Sequence, residues 1–228
     1  MKIFAHRGVS GHYPENTLQA IQAALDCGTY GIEIDVFAVD DELIVIHDRQ
    51  LQRTTQTVGN IEDYSLAQLQ QLNAGNGQHI PTLWQVLALV NNRCVLNIEL
   101  KGHDTAELLL NLLQRAVVEL STDVSKLLIS SFHHPLLHTI KQRQPELAIG
   151  ALTACIPLDY CAFASALNAV SVHCDRAFVD QQMVQDAHQR GLKIFVYTVN
   201  DQREALRLKA LGIDGIFCNF PAEAASWF

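Results

Sequence analysis

The chain has 228 residues, 49% of them apolar, and a formal net charge of −8. That length and apolar share allow one sizeable core, and a single α/β barrel needs about 250 residues. An acidic chain with no basic run lacks the electrostatic footprint of a nucleic-acid binder, and no apolar run reaches the roughly 18 residues that a membrane-spanning helix needs.

In chain order, strand-like runs fall at residues 2–6, 31–39, 43–47, 94–100, 127–132, 147–153, 169–174, 193–199 and 215–218. Helical spacing lies between them. Leu18, Ile21, Ala24 and Leu25 recur along Thr17 to Cys27, and Thr105 to Leu120 is Leu-rich and amphipathic. Pro135 to Arg143, Leu158 to Leu167, Asp180 to Arg190 and Asp201 to Leu211 continue the alternation. Gly28, Gly191 and Gly212 follow helices, where a left-handed cap is wanted. Strand–helix alternation implies right-handed crossovers and a parallel sheet. With 43–47 treated as a hairpin extension of the second strand, eight units remain, which predicts a (β/α)8 TIM barrel. An open doubly wound sheet would want GxGxxG after the first strand, and His6-Arg7-Gly8-Val9-Ser10-Gly11 is not that motif.

Residues 48–80 break the rhythm. They are longer than a usual connection, and long loops in compact domains are usually functional. They are expected to form a short insertion over the C-terminal face, with one short helix near Leu66 to Leu72, inside a single domain spanning 1–228. None of the six cysteines lies in a CxxC pair. Reduced, buried thiols, together with an N-terminus that opens into a strand rather than a signal peptide, give a cytoplasmic expectation. Cys155 and Cys161 are the alternative redox pair, at a spacing that carries no mechanism.

The strand ends carry charge. His6 and Arg7 close the first strand, Glu33 and Asp35 lie within the second, His47 follows its hairpin partner, and Glu99 and Lys101 end the next. Unpaired charges are costly in an ordinary core, so these groups imply one shared polar site. Residues two apart on a strand share a face, so Glu33 and Asp35 turn inward while Ile32 and Ile34 meet the helices. Close carboxylates repel, and a cation relieves them. Glu99 supplies a third oxygen ligand, and an all-carboxylate set suits Mg²⁺, Ca²⁺ or Mn²⁺ better than zinc. The alternative is plain neutralisation by Arg7 and Lys101. His6 and His47 titrate near neutrality and are the candidate acid and base. His12, His103, His133, His138 and His188 are read as surface or packing residues, with the His133-His134 pair, near a strand end, as the exception to test. Arg7 and Lys101 suit phosphate oxygens. A divalent metal, two cations and an acid–base pair suit a slowly reacting anion such as a phosphodiester.

These residues resemble the glycerophosphodiester phosphodiesterase family. The resemblance runs through His6-Arg7-Gly8, Pro14-Glu15-Asn16-Thr17, Glu33-Ile34-Asp35-Val36, and His47-Asp48 with Leu51, Arg53, Thr54 and Thr55. It continues through Ile80-Pro81-Thr82-Leu83, Glu99-Leu100-Lys101, Ser131-Phe132, Tyr197-Thr198-Val199-Asn200 and Gly212-Ile213-Asp214-Gly215-Ile216. It implies a barrel of the triosephosphate isomerase type, one divalent cation, and hydrolysis of a small-molecule glycerophosphodiester to glycerol 3-phosphate and an alcohol. No nucleic acid and no stable membrane insertion are expected. Carried across, Glu33, Asp35 and Glu99 look like metal ligands, and His6 and His47 like the acid and base. Arg7 and Lys101 resemble phosphate binders, Phe132 and Tyr197 resemble apolar wall residues, and Glu15 and Asn16 belong to the supporting motif. Two positions depart from the pattern. Tyr197 stands where many relatives carry Trp. Asn219 stands where Asp is frequent, and its distance in sequence from the ligand set gives it an expected structural role. A lysophospholipase D-like or phospholipase C-like phosphodiesterase, a sugar-phosphate isomerase and a non-catalytic phosphate-binding barrel are the rival readings.

Overall fold

The structure, a computed structural model, describes residues 1–228. Eight parallel strands close on themselves: β1 (Lys2–His6), β2 (Gly31–Val39), β4 (Val95–Leu100), β5 (Leu127–Ser131), β6 (Ala148–Thr153), β7 (Ser171–Asp175), β8 (Lys193–Tyr197) and β9 (Gly215–Cys218). The pairing of β1 with both β9 and β2 closes the barrel. β3 (Glu42–Val45) runs antiparallel to the end of β2 and stays outside the ring, as the hairpin reading expects.

The alternation of faces sorts the strands. Ala5, Ile32, Ile34, Leu96, Ile98, Ile129, Ile149, Val172, Ile194 and Ile216 face outward into a 48-residue core shared with the helices. The floor of the barrel interior is filled by Phe4, Leu128, Phe195 and Phe217. Phe4 stacks on Phe217 at 5.0 Å between centroids. A Cβ at Gly31 would lie 2.6 Å from the Phe4 ring, so the glycine makes room for that layer. His173 lies in the same interior, hydrogen-bonded to Ser171 Oγ at 2.9 Å. Burial pushes its pKa down to about 3, so it is a neutral packing group.

The helices that cover the ring are α1 (Leu18–Asp26), α4 (Leu83–Val90), α5 (Thr105–Glu119), α6 (His134–Arg143), α7 (Ala162–Ala166), α8 (Gln181–Gln189), α9 (Gln202–Leu211) and the C-terminal α10 (Pro221–Ala225). The sequence reading missed α4. Its signal is a capping box, in which Thr82 Oγ1 accepts from Gln85 N and Gln85 Oε1 accepts from Thr82 N. The helix expected from Leu158 begins only at Ala162, because Tyr160 turns through φ 47° and ends any continuous helical path from Leu158. Gly28, Gly191 and Gly212 all take positive φ, as helix-terminal glycines should.

Residues 48–80 contain two one-turn helices, α2 (Gln52–Thr55) and α3 (Leu66–Leu69), with a 3₁₀ turn between them. They have a small apolar cluster of their own, in which Leu51, Ile61, Leu69 and Ile80 pack on Val39, Ile44 and Ile46 of the hairpin. The insertion therefore leans on the β2–β3 hairpin beside the first βα loop. Four cysteines are buried, whereas Cys27 and Cys155 are exposed, and all six are free. No helix is long and apolar enough to cross a membrane.

Candidate active site

Sheet register builds the site. His6 pairs with Glu33, Glu33 with Asn97, and Asp35 with Glu99, so the acidic groups of β2 and β4 stand side by side at the C-terminal end of the barrel. Glu33, Asp35 and Glu99 are buried, with carboxylate oxygens within 4.8 Å of one another. Glu33 Oε2 accepts from the backbone N–H of Arg7 at 3.0 Å, while its Oε1 is buried with no hydrogen-bond partner. Arg7 takes φ 59° as the chain leaves β1, and the same N–H also donates to the Glu33 carbonyl at 2.9 Å.

The electrostatics follow from this crowding. Burial and the neighbouring Asp35 and Glu99 charges hold the Glu33 carboxyl well above the usual range. Burial and Asp35 push Glu99 up to about 7, although Lys101 opposes them. Burial also raises Asp35, but Lys101 and Arg7 overcome it and leave the group below its ordinary value. Lys101 Nζ lies 2.7 Å from Glu99 Oε1 and 3.4 Å from Asp35 Oδ1, and Arg7 Nε lies 3.3 Å from Asp35 Oδ2. Asn16 donates from Nδ2 to Asp35 Oδ2 at 2.9 Å, and its own Oδ1 accepts from Asp35 N. Two cations therefore do not neutralise three carboxylates, and an orphaned carboxylate oxygen remains. That donor set fits a hard divalent cation.

The two histidines have different partners. His6 Nδ1 donates to the amide Oδ1 of Asn219 at 2.7 Å, and its Nε2 lies 4.0 Å from Glu33 Oε2. Burial and the Arg7 charge push the His6 pKa down to about 4. His47 Nδ1 donates to Asp48 Oδ1 at 2.6 Å. Burial raises Asp48, but its bonds to Arg53 and His47 bring it down to about 2. Glu15 accepts from Arg7 Nη1 at 2.8 Å and is gripped by both terminal nitrogens of Arg53 at 2.7 Å. On the far wall, Phe132 is 47% exposed and meets the Tyr197 ring edge-to-face at 6.2 Å. Tyr197 donates its hydroxyl proton to the Thr153 carbonyl at 2.9 Å.

All eleven of the proposed site residues thus lie on strand ends or loops of the same barrel face; eight form one connected polar cluster, His47 joins it through Asp48 and Arg53, and Phe132 and Tyr197 stand on its apolar side. Three partners were not assigned a role there. Asn219 is not a remote structural residue, because closure of the barrel sets it against His6. Asp48 and Arg53 are tied to His47 and Glu15. The adjacency of Asp48 to His47 was a readable signal, whereas nothing local marks Asn219. His133 and His134 do structural work. His133 Nδ1 accepts from Leu136 N at the start of α6, and His134 stacks flat on Phe163 at 4.9 Å.

The family model described as the glycerophosphoryl diester phosphodiesterase family matches residues 6–223. The chain belongs to that family. It is therefore a phosphoric diester hydrolase. It is 34% identical to a glycerophosphodiester phosphodiesterase of Caldanaerobacter subterraneus, over 96% of this chain and 94% of the relative. It is also 34% identical to one of Bacillus altitudinis, over 98% and 96%. Among solved structures it superposes with a TM-score of 0.92 on a phosphodiesterase of Oleispira antarctica in complex with the product sn-glycerol 3-phosphate. The identity there is 32%, over 100% of this chain and 96% of that one.

Proposed function

We propose that the chain hydrolyses glycerophosphodiesters to sn-glycerol 3-phosphate and an alcohol, with one divalent cation held by Glu33, Asp35 and Glu99. The observation that carries this reading is the buried triad of carboxylates, two of them with raised pKa values and one with an unpartnered oxygen. A divalent cation held by Glu33, Asp35 and Glu99 would supply positive charge against the phosphoryl oxygens and lower the cost of charge growing on them. Arg7 and Lys101 add fixed positive charge at the same mouth, and Asn16 holds Asp35 in position.

His6 and His47 move the protons. An amide oxygen fixes the Nδ1–H tautomer of His6 and leaves the lone pair on Nε2, which lies 4.0 Å from Glu33 Oε2, but the amide offers an imidazolium no counter-charge. A carboxylate on His47 does offer one. These partners favour His6 as the base that takes the proton of the attacking hydroxyl and His47 as the acid that gives one to the departing alcohol oxygen. The attacking group is water or the glycerol 2-hydroxyl, and the second course passes through a cyclic phosphate visible by phosphorus NMR.

The test is a metal-replete assay on a panel of glycerophosphodiesters, coupled to detection of glycerol 3-phosphate. His6→Ala and His47→Ala each lower kcat by about 10²–10⁴ while remaining folded. Near-normal turnover in either variant, or full activity after chelation, would overturn the assignment. The second reading, action on lysophospholipids, has one observation in its favour. Ile156, Leu158 and Phe178 are exposed on the loops after β6 and β7. Lysophosphatidylcholine belongs in the same panel, and preferential cleavage of it over glycerophosphocholine would select that reading.

A further inference from the structure

Arg53 sits on the single turn of α2, in the insertion, and is half-exposed. A half-exposed ion pair usually contributes little, unless its geometry is bidentate or it belongs to a network. Arg53 meets both conditions. Its Nη1 and Nη2 each donate to a separate oxygen of Glu15 at 2.7 Å, and its Nε donates to Asp48 Oδ2. The same two carboxylates are already engaged with the reaction machinery. Glu15 Oε1 also accepts from Arg7 Nη1 at 2.8 Å, and Asp48 Oδ1 accepts from His47 Nδ1 at 2.6 Å.

Two separate segments are involved. Glu15 lies in the loop between β1 and α1, whereas Asp48 and Arg53 both belong to the insertion that follows β3. Without the guanidinium, Glu15 and Asp48 would be two like charges on separate segments, each held only by the group it positions, Arg7 and His47. With it, one planar group fixes the distance and orientation between them. We propose that Arg53 is a positioning residue for catalysis, setting His47 through Asp48 and Arg7 through Glu15 with a single guanidinium. This rests on the functional reading above, and it assigns the insertion a task other than covering the mouth. The fork geometry matters as much as the charge. A lysine presents one point charge and cannot hold two carboxylates in a plane.

The experiment uses the full chain with glycerophosphocholine and saturating divalent cation. Arg53→Ala is expected to lose about 10–100-fold in kcat, with KM nearly unchanged, because the loss is one of alignment. Half-exposure leaves the vacated space open to solvent, so millimolar guanidinium chloride should restore part of the kcat of Arg53→Ala and should not stimulate the wild type. Arg53→Lys should recover less than guanidinium does. In a double-mutant cycle, Arg53→Ala combined with Asp48→Asn should be scarcely worse than the worse single variant. Wild-type kcat in Arg53→Ala overturns the proposal. So does a loss of activity that guanidinium leaves untouched and that adds in full to the loss from Asp48→Asn. Should Arg53→Ala fail to fold, Arg53→Lys and Arg53→Met enter the same cycle, and full additivity there is equally fatal. An inactive wild type would instead defeat the functional reading itself, so the two failures are distinguishable.

Discussion

Replacing Glu99 by glutamine in the metal-free protein should stabilise it, and the gain should depend on pH in a defined way. Glu99 is 8% exposed, and its pKa rises from 4.5 to about 7, driven by burial and then by Asp35 against the pull of Lys101. A carboxyl with a raised folded-state pKa binds its proton more tightly when folded, so it costs nothing below the unfolded value. The penalty grows as pH rises from about 4.5 and is complete above about 7. At 1.36 kcal/mol per unit, the shift corresponds to about 3 kcal/mol. For a domain of this size that is roughly 6–12 °C in Tm. Glutamine resembles the protonated acid and removes the penalty. Scanning calorimetry in excess chelator should therefore show near-equal Tm values at acid pH and a clearly higher Tm for Glu99→Gln at alkaline pH. Saturating Mg²⁺ should reverse the order, because the ion binds the wild type more tightly. A variant less stable than wild type in chelator at alkaline pH, or a difference that ignores pH, would refute the reasoning.

Asn219→Asp should place a carboxylate where the amide now meets His6 Nδ1 at 2.7 Å, raising a pKa that burial and Arg7 hold at about 4. The acidic limb of the kcat/KM profile should move up by about 1–3 pH units, and an unchanged profile would remove His6 from the base role. Gly150→Ala should cost roughly 1–3 kcal/mol by overpacking, because its Cβ would lie 2.4 Å from Nε2 of the buried His173 in the barrel interior. An unaltered denaturation midpoint would show that the interior is looser than this packing implies. Asp48 has a lowered pKa, so its contribution to stability is present above its ordinary 3.8 and is lost as pH falls through about 2. Acid titration of unfolding should show that loss in the wild type and less of it in Asp48→Asn.

The barrel and the facing of its acids were legible because they are local properties. Alternation of strand and helix implied the parallel ring, and the period of two put Glu33 and Asp35 on one face with Ile32 and Ile34 on the other. Glu99 followed by the same rule on the next ring strand. What the chain's order alone did not convey depended on contacts between distant segments. Asn219 lies 213 residues from His6 and reaches it only because β9 closes the ring against β1. Arg53 and Glu15 are 38 residues apart and meet because the insertion packs beside the first loop. Periodicity reports which face a side chain takes within its own element. Which partner waits there, amide or carboxylate, fork or point charge, is decided when the elements pack, and on that choice depend the proton position of His6 and the setting of the Asp48 carboxylate against His47.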